Sequence, residues 1–266
     1  MAIAWLGVAA SRMAEVLVTG CSSGIGLLTA AAFAGAGDHV IAGVREPAAA
    51  TELRARIRTH SLPIDVVALD VTDSYSIDRF VAHALETRSG IDVIVNNAGV
   101  AFVAAIEDSD DQRMHELMAT NFYGPLRLIR TVLPHLRARG HGHIINLSSR
   151  AHSGAAFTGV YGASKAALEA LSVSLAHEVA PFGIHVTVVE PASFHTAIDH
   201  KFAAGLRPSA VYPDRAEAVV DARNRAASQH TELVADAIVR AAHSHPPPAR
   251  IQVRDGPGGA PPAAYS

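Results

Sequence analysis

Residues 15–26 read EVLVTGCSSGIG, an apolar run that ends in three glycines. A short, nearly continuous apolar run rich in β-branched residues marks a strand buried on both faces. The alanine-rich stretch that follows, 24–36, favours helix. A strand that turns sharply into a helix aims the helix's unpaired N–H groups and the positive end of its dipole at the turn, which suits phosphate. Gly20 permits the sharp turn, and Gly24 and Gly26 let backbone approach a pyrophosphate closely. The spacing is G-x-x-x-G-x-G rather than G-x-G-x-x-G. Glycines alone mark turns as readily as sites. Their place between a strand and a helix, at the head of an alternating chain, makes this loop a candidate nucleotide site.

The alternation is plain further along. Six more β-branched runs follow, at 38–44, 64–71, 91–99, 142–149, 184–191 and 249–255. Helix-favouring segments lie between them, including 74–88, 109–138 and 159–180. Strands alternating with helices predict an α/β fold: one doubly wound domain with a parallel sheet of about seven strands. Ligands of such a sheet bind at the carboxyl ends of its strands.

The chain has 266 residues, 49% hydrophobic and 18% charged, with a formal net charge of −3. That balance gives no reason to expect nucleic acid or an anionic membrane as a partner. A single cysteine, Cys21, excludes an internal disulfide and a multi-cysteine metal site, and it fits a reducing, cytoplasmic setting. In the glycine loop it reads as a small filler. The apolar start is too short for a membrane span and lacks a basic leader. Residues 1–13 therefore read as an N-terminal extension, either a loose one or an upstream misread start, 14–255 as the domain, and 256–266 as a flexible tail. The histidines of "HGH" (141–143) and "HSH" (243–245) read as surface residues, and no metal is expected.

Residues 161–165 read YGASK. Tyr161 and Lys165, four apart, share a helix face. A free tyrosine, with a pKa near ~10, is phenolate in about one molecule in a thousand at pH 7. A neighbouring cation can lower that value by roughly 1–3 units, so the pair can form a general base near neutrality. A solvated Tyr/Lys face is the bland alternative, and the rest of the chain decides between them.

"TGCSSGIG" (19–26), "NNAG" (96–99), "TNFYGP" (120–125), "INLSS" (145–149), "YGASK" and "VEPASFHT" (189–196) occur in the order and approximate spacing of the short-chain dehydrogenase/reductase family. The resemblance covers roughly 14–255. The stretch from Tyr161 to Pro191 is most similar to the branch of 17β-hydroxysteroid-dehydrogenase-like and retinol-dehydrogenase-like members. It implies a Rossmann-type fold and an oxidoreductase interconverting a carbonyl and an alcohol, on a substrate that a lipophilic pocket would suit. Tyr161 is then the catalytic acid/base, and Lys165 lowers its pKa and holds the nicotinamide ribose. Asn121 holds a water for proton relay, and a serine polarises the substrate oxygen.

Two serines compete for that role. The strand register of "GHIINLSS" points to Ser149, twelve residues before Tyr161, whereas the family's usual spacing of thirteen fits Ser148. The register is preferred, because a loop residue between 150 and 160 is easier to delete than a strand residue. For the cofactor, the resemblance implies Gly20, Ser22, Ser23, Gly24, Ile25 and Gly26 around the phosphates. Asp70 and Val71 lie at the adenine, Asn97, Ala98 and Gly99 at the adenosine ribose, and Pro191 and Thr196 at the carboxamide. Asn96 ties neighbouring strands. Ala192 stands where the family usually has glycine.

An NAD enzyme of this fold usually carries an acid at the end of its second strand. That position aligns with Gly43, and Arg45 follows, so NADP(H) is the expected cofactor, with NAD(H) as the alternative. Residues 193–230, including Phe194, Ile198, Phe202, Leu206, Val211 and Tyr212, form the expected substrate lid. The family's helices pair across two-fold axes, so a homodimer or homotetramer acting on a small molecule is expected. A non-catalytic dinucleotide sensor is the alternative function. The extended, epimerase-type branch is disfavoured by the glycine spacing and by the chain length.

Overall fold

The computed structural model describes residues 13–150, 156–192, 211–212 and 230–254, with isolated positions at 215, 218, 219 and 221. Seven strands form one sheet: β1 (Glu15–Thr19), β2 (His39–Val44), β3 (Ile64–Ala68), β4 (Val93–Asn96), β5 (Gly142–Leu147), β6 (Ile184–Pro191) and β7 (Arg250–Val253). Their order is β3-β2-β1-β4-β5-β6-β7, and every pairing is parallel. The chain winds outward from β1 in one direction and from β4 in the other. The crevice between their carboxyl ends is thus the point where strand order reverses.

Strand side chains alternate between two layers. Val16 and Val18 of β1 face one core with Leu27 and Phe33 of α1 (Gly24–Gly35). Leu17 faces the other, with Phe80 of α3 (Ser74–Thr87) and Leu128 of α5 (Gly124–Arg139). Val16, Leu17 and Val18 are all fully buried, which is why β1 reads as an unbroken apolar run. Between these helices come α2 (Thr51–His60) and α4 (Asp111–Met118); α6 (Gly159–Val179) and α7 (Glu232–Ala242) complete the set described.

The segment 109–138 is not one helix. A π-turn, Ala119–Tyr123, separates α4 from α5. Its cause is local: Pro125 has no N–H to donate to the Asn121 carbonyl, so the α-type ladder cannot pass through it. The missing side chain of Gly124 lets the turn close on Val71, whose Cβ would stand 3.0 Å from a Cβ placed there.

One sequence expectation is corrected here. His143 is buried, because it is the second residue of β5 and points into the layer between sheet and helices. Its Nε2 lies 2.7 Å from Thr187 Oγ1. That hydroxyl donates to the Pro248 carbonyl, so Nε2 must carry the proton and donate. Nδ1 is buried without a partner, and protonating it would bury an unmet N–H. Burial, followed by the neighbouring His185 and His245, lowers the His143 pKa to about 3. His141 is exposed, beside Asp92, and His243 is exposed too, with its Nε2 2.8 Å from Asp38.

Candidate functional site

The glycine loop leaves β1 with Gly20 at φ +74° and enters α1 through Gly24 at φ +58°, both in the left-handed region that favours glycine. Gly20 N and Cys21 N donate to the Gly43 carbonyl at 2.9 and 3.1 Å, fastening the loop to the end of β2. Ser23 at the start of α1 makes no side-chain cap, and the first turn holds no acidic residue. The positive end of this helix therefore meets no carboxylate of its own. Cys21 is fully buried, and its thiol donates to the Val18 carbonyl at 3.1 Å. Burial pushes its pKa far up, so it is a filler rather than a nucleophile.

Gly26 has a different reason from the one its motif implies. A Cβ there would overlap the Asn97 amide and the Gly20 carbonyl. Its bareness serves packing of helix on strand. Asn97 is likewise occupied by the protein: its Nδ2 donates to the carbonyls of Thr19 and Gly20 at 2.8 and 3.2 Å. Thr19 Oγ1 accepts from the backbone N–H of Asn97 and Ala98. Asn96 donates to Asn146, and Asn146 donates to Ser172, which ties β4, β5 and α6 together as expected.

The crevice above these strand ends has a volume of about 750 Å³. The glycine-loop side is lined by Gly20, Ser22, Ser23, Gly24, Ile25 and Gly26, with Val44 and Arg45 at the end of β2. Asp70, Val71 and Thr72 follow β3, and Asn97, Ala98 and Gly99 follow β4. Ser148, Ser149, Tyr161, Lys165, Pro191 and Ala192 line the far side. Sequence reasoning passed over the wall that α4 supplies, including Arg113, Glu116 and Leu117. It also passed over Thr19, whose clue was a hydroxyl at the end of an otherwise apolar buried strand. Thr196, and the lid residues Phe194, Ile198, Phe202 and Leu206, lie outside the described residues. Val211 is exposed, and Tyr212 meets Phe157 edge-on, 5.8 Å between centroids.

The acidic position assigned to Gly43 is corrected. A Cβ at Gly43 would press on Leu69 and Phe80, on the core side. The residues at this strand end that face the crevice are Val44 and Arg45, neither acidic. Ala192, by contrast, causes no strain: its N–H donates to Val253 in an extended continuation of β6, and it has no positive φ.

Tyr161 and Lys165 are both buried on one face of α6, where Tyr161 packs with Phe102, Val103 and Leu117. Lys165 Nζ donates to the Leu147 carbonyl at 2.8 Å. Burial lowers its pKa to about 8 while Glu169 opposes the shift, so the ammonium form still dominates at pH 7. The side chain of Asn121 clamps Val100, accepting from its N–H and donating to its carbonyl, each at 2.9 Å. It also donates to Ser164 Oγ at 3.0 Å. A Cβ at Gly99 would stand 3.5 Å from Asn121 Oδ1 and 3.8 Å from Lys165 Nζ, so these three meet at one point. Ser148 Oγ donates to Glu169 Oε1, whereas Ser149 follows at the crevice rim. Among the described residues, no cluster of three or more His, Cys, Asp or Glu could hold a metal.

A doubly wound sheet, a glycine loop at its switch point and a Tyr/Lys pair facing the same crevice define the dinucleotide-binding class of α/β domain. The short chain dehydrogenase family model matches residues 14–206, and the chain belongs to that family. An uncharacterized oxidoreductase of Bacillus subtilis is 41% identical over 68% of this chain, and the match spans 65% of that protein's length. Human retinol dehydrogenase 8 is 34% identical, with 89% of this chain and 80% of that protein covered. A short-chain dehydrogenase from Streptomyces avermitilis superposes with a TM-score of 0.81 at 34% identity, covering 91% of this chain and 88% of that one. A metagenomic short-chain oxidoreductase in complex with NADP superposes with a TM-score of 0.72 at 25% identity, covering 91% and 97%. Solved short-chain oxidoreductases of this fold hold NAD or NADP, and this crevice combines a bare glycine loop, an open helix N-terminus and polar side chains.

Proposed function

We propose that the protein is an NADP(H)-dependent oxidoreductase that interconverts a carbonyl and an alcohol on a lipophilic substrate. One observation carries the reading: Tyr161 and Lys165 open from one helix face into a crevice continuous with the glycine loop. Bound there, the nicotinamide dinucleotide supplies or accepts the hydride. In the reducing direction Tyr161 donates its phenolic proton to the substrate oxygen, and in the oxidising direction its phenolate removes it. Lys165, cationic at neutral pH, favours the phenolate and keeps donors for the nicotinamide ribose. Ser149 polarises the substrate oxygen. Asn121 serves the proton relay through its main chain: its side chain is engaged with Val100 and Ser164, and Pro125 leaves its carbonyl without the helical donor.

Asp70 holds Thr72 through its Oδ1, at 2.8 Å to the N–H and 2.7 Å to the hydroxyl, which shapes the adenine side. Val100, Phe102 and Leu117 give the substrate end an apolar wall. We assign the protein to the cytoplasm; no helix among the described residues is long and apolar enough to cross a membrane. We assign it a homodimer or homotetramer as well. Ala163, Ala166, Ala170 and Val173 form an exposed stripe of small and apolar residues along α6, which suits close pairing of two copies.

The test is a panel of long-chain, aromatic and steroid ketones and aldehydes followed by nicotinamide absorbance, with light scattering for assembly. Turnover with NADPH is expected. Tight dinucleotide binding without turnover of any member would favour a sensor instead.

A further inference from the structure

Tyr161, Lys165 and Glu169 are spaced four apart on α6 and therefore share its buried face. Glu169 has no part in the mechanism above, yet it is a buried carboxylate, and a buried charge needs partners. Its Oε1 accepts from Ser148 Oγ, and its Oε2 accepts from Arg250 Nη1 at 3.0 Å. Arg250 also pairs with Glu190 of β6, and Glu190 accepts from Gln252 at 3.0 Å. Ser148 is held from a second side, its N–H donating to the Val189 carbonyl at 2.8 Å. One residue earlier, the Leu147 carbonyl takes the bond from Lys165. Helix α6 thus grips the end of β5 twice, through Lys165 on Leu147 and Glu169 on Ser148, immediately before Ser149 enters the crevice.

Resting on the functional reading above, we infer that Glu169 is a positioning residue: it ties up the Ser148 hydroxyl, fixes the strand end that presents Ser149, and holds Lys165 cationic. Among the described residues, the charged and titratable groups around Lys165 are Tyr161 and Glu169 on its own helix, with Glu190 on β6 and Arg250 on β7 beyond Glu169. From β5 the Leu147 carbonyl meets Lys165, and from the π-turn the Asn121 side chain approaches the same point beside Gly99. Glu169 is therefore the anion on the lysine's own face, and its charge acts against the lowering that burial imposes. Removing that charge leaves burial unopposed, so Lys165 loses its proton at lower pH.

The chain makes this directly readable, since its only lysines are Lys165 and Lys201. Protein carrying 13C at lysine Cε gives two lysine signals, and Lys201→Arg identifies the one from Lys165 without any cofactor or turnover. In Glu169→Gln the Lys165 titration midpoint should fall by about one pH unit, as expected for loss of a nearby opposite charge. In Ser148→Ala it should stay. With NADPH and a ketone substrate, Glu169→Gln should lose about tenfold in kcat at pH 7, the scale of a misplaced polarising group. Its activity should also decline at lower pH than in wild type, with KM for NADPH little changed. Should Glu169→Gln fail to fold, Glu169→Asp keeps the charge and shortens the reach, so kcat should fall while the midpoint stays. An unmoved midpoint in a folded Glu169→Gln protein overturns the inference. So does a kcat within twofold of wild type. The lysine titration stands even if no ketone is turned over, which separates failure of this inference from failure of the proposed activity.

Discussion

Asn97 and Gly26 contend for one space: a Cβ on Gly26 would overlap the side-chain amide of Asn97, which is itself bonded to the Thr19 and Gly20 carbonyls. The glycine loop is therefore shaped from beneath by β4. Gly26→Ala should force the amide off its carbonyls and destabilise the fold by about 1–3 kcal/mol, as overpacking does. Urea unfolding checks the stability, and a dinucleotide titration should show weakened affinity. Wild-type values for both would mean that the loop has room to yield.

Ser148 and Ser149 separate by their surroundings. The hydroxyl of Ser148 is committed to Glu169, so Ser149→Ala should be the more damaging change. Loss of a group that polarises the reacting oxygen costs about 10²–10³ in kcat, whereas Ser148→Ala should lose about tenfold or less by loosening the strand end. Steady-state kinetics on both variants decide it, and the reverse order would give the role to Ser148.

How much of this was legible beforehand follows from where each signal lies. Strands buried on both faces leave unbroken β-branched runs, so the inner strands could be read locally, and the half-exposed edges β3 and β7 kept enough β-branched residues to be read with them. His143 could not, because "HGH" is polar in sequence and only the sheet's pleat sends its third residue inward. Gly43 was misassigned for the same reason: which of Gly43 and Val44 faces the crevice is decided by the register of β2 against β1 and β3. The π-turn left its clue in Gly124-Pro125, but a helix-length segment masked it. The Ser148–Glu169 contact joins residues 21 apart, and no spacing rule announces it.

Tyr161→Phe removes one hydroxyl from a residue already packed against Phe102 and Leu117, so the fold should be kept. Turnover should fall to a few per cent of wild type or less, while the dinucleotide affinity measured by fluorescence titration stays within about twofold, since general acid/base groups contribute 10²–10⁴ in rate. A variant with substantial remaining activity would place the proton transfer elsewhere.

His143 makes stability depend on pH. Its folded pKa, about 3, lies below the ordinary histidine value of 6.5. Its contribution is therefore fully present above about pH 6.5, and it is lost as pH falls towards 3, because the unfolded chain takes up the proton first. The slope from one such group is at most about 1.4 kcal/mol per pH unit. His143→Asn should flatten the fall in unfolding free energy between pH 6.5 and 4.5 relative to wild type, whatever its effect at pH 8. Parallel curves for the two proteins would show that His143 is charged in the folded state.

The proposed preference for NADP(H) turns on Arg45. It stands exposed at the crevice rim directly after β2, beside Val44, and neither residue can repel a 2′-phosphate. A guanidinium offers two parallel donors to a phosphate, which a lone ribose hydroxyl cannot exploit as well. Ser22 and Ser23 on the same rim add hydroxyl donors. A charged hydrogen bond contributes roughly 1.5–3 kcal/mol, about ten- to more than a hundredfold in affinity. NADPH should therefore bind the wild-type protein at least about tenfold more tightly than NADH, by that same bond energy. Arg45→Ala should erase most of the difference by weakening NADPH, with NADH nearly unaffected. The preference should also shrink as salt rises, because an exposed ion pair is screened. Isothermal titration with both dinucleotides, at low and high salt, measures all three effects. Equal or tighter binding of NADH by the wild-type protein would remove Arg45 from the site and NADP(H) from the reaction.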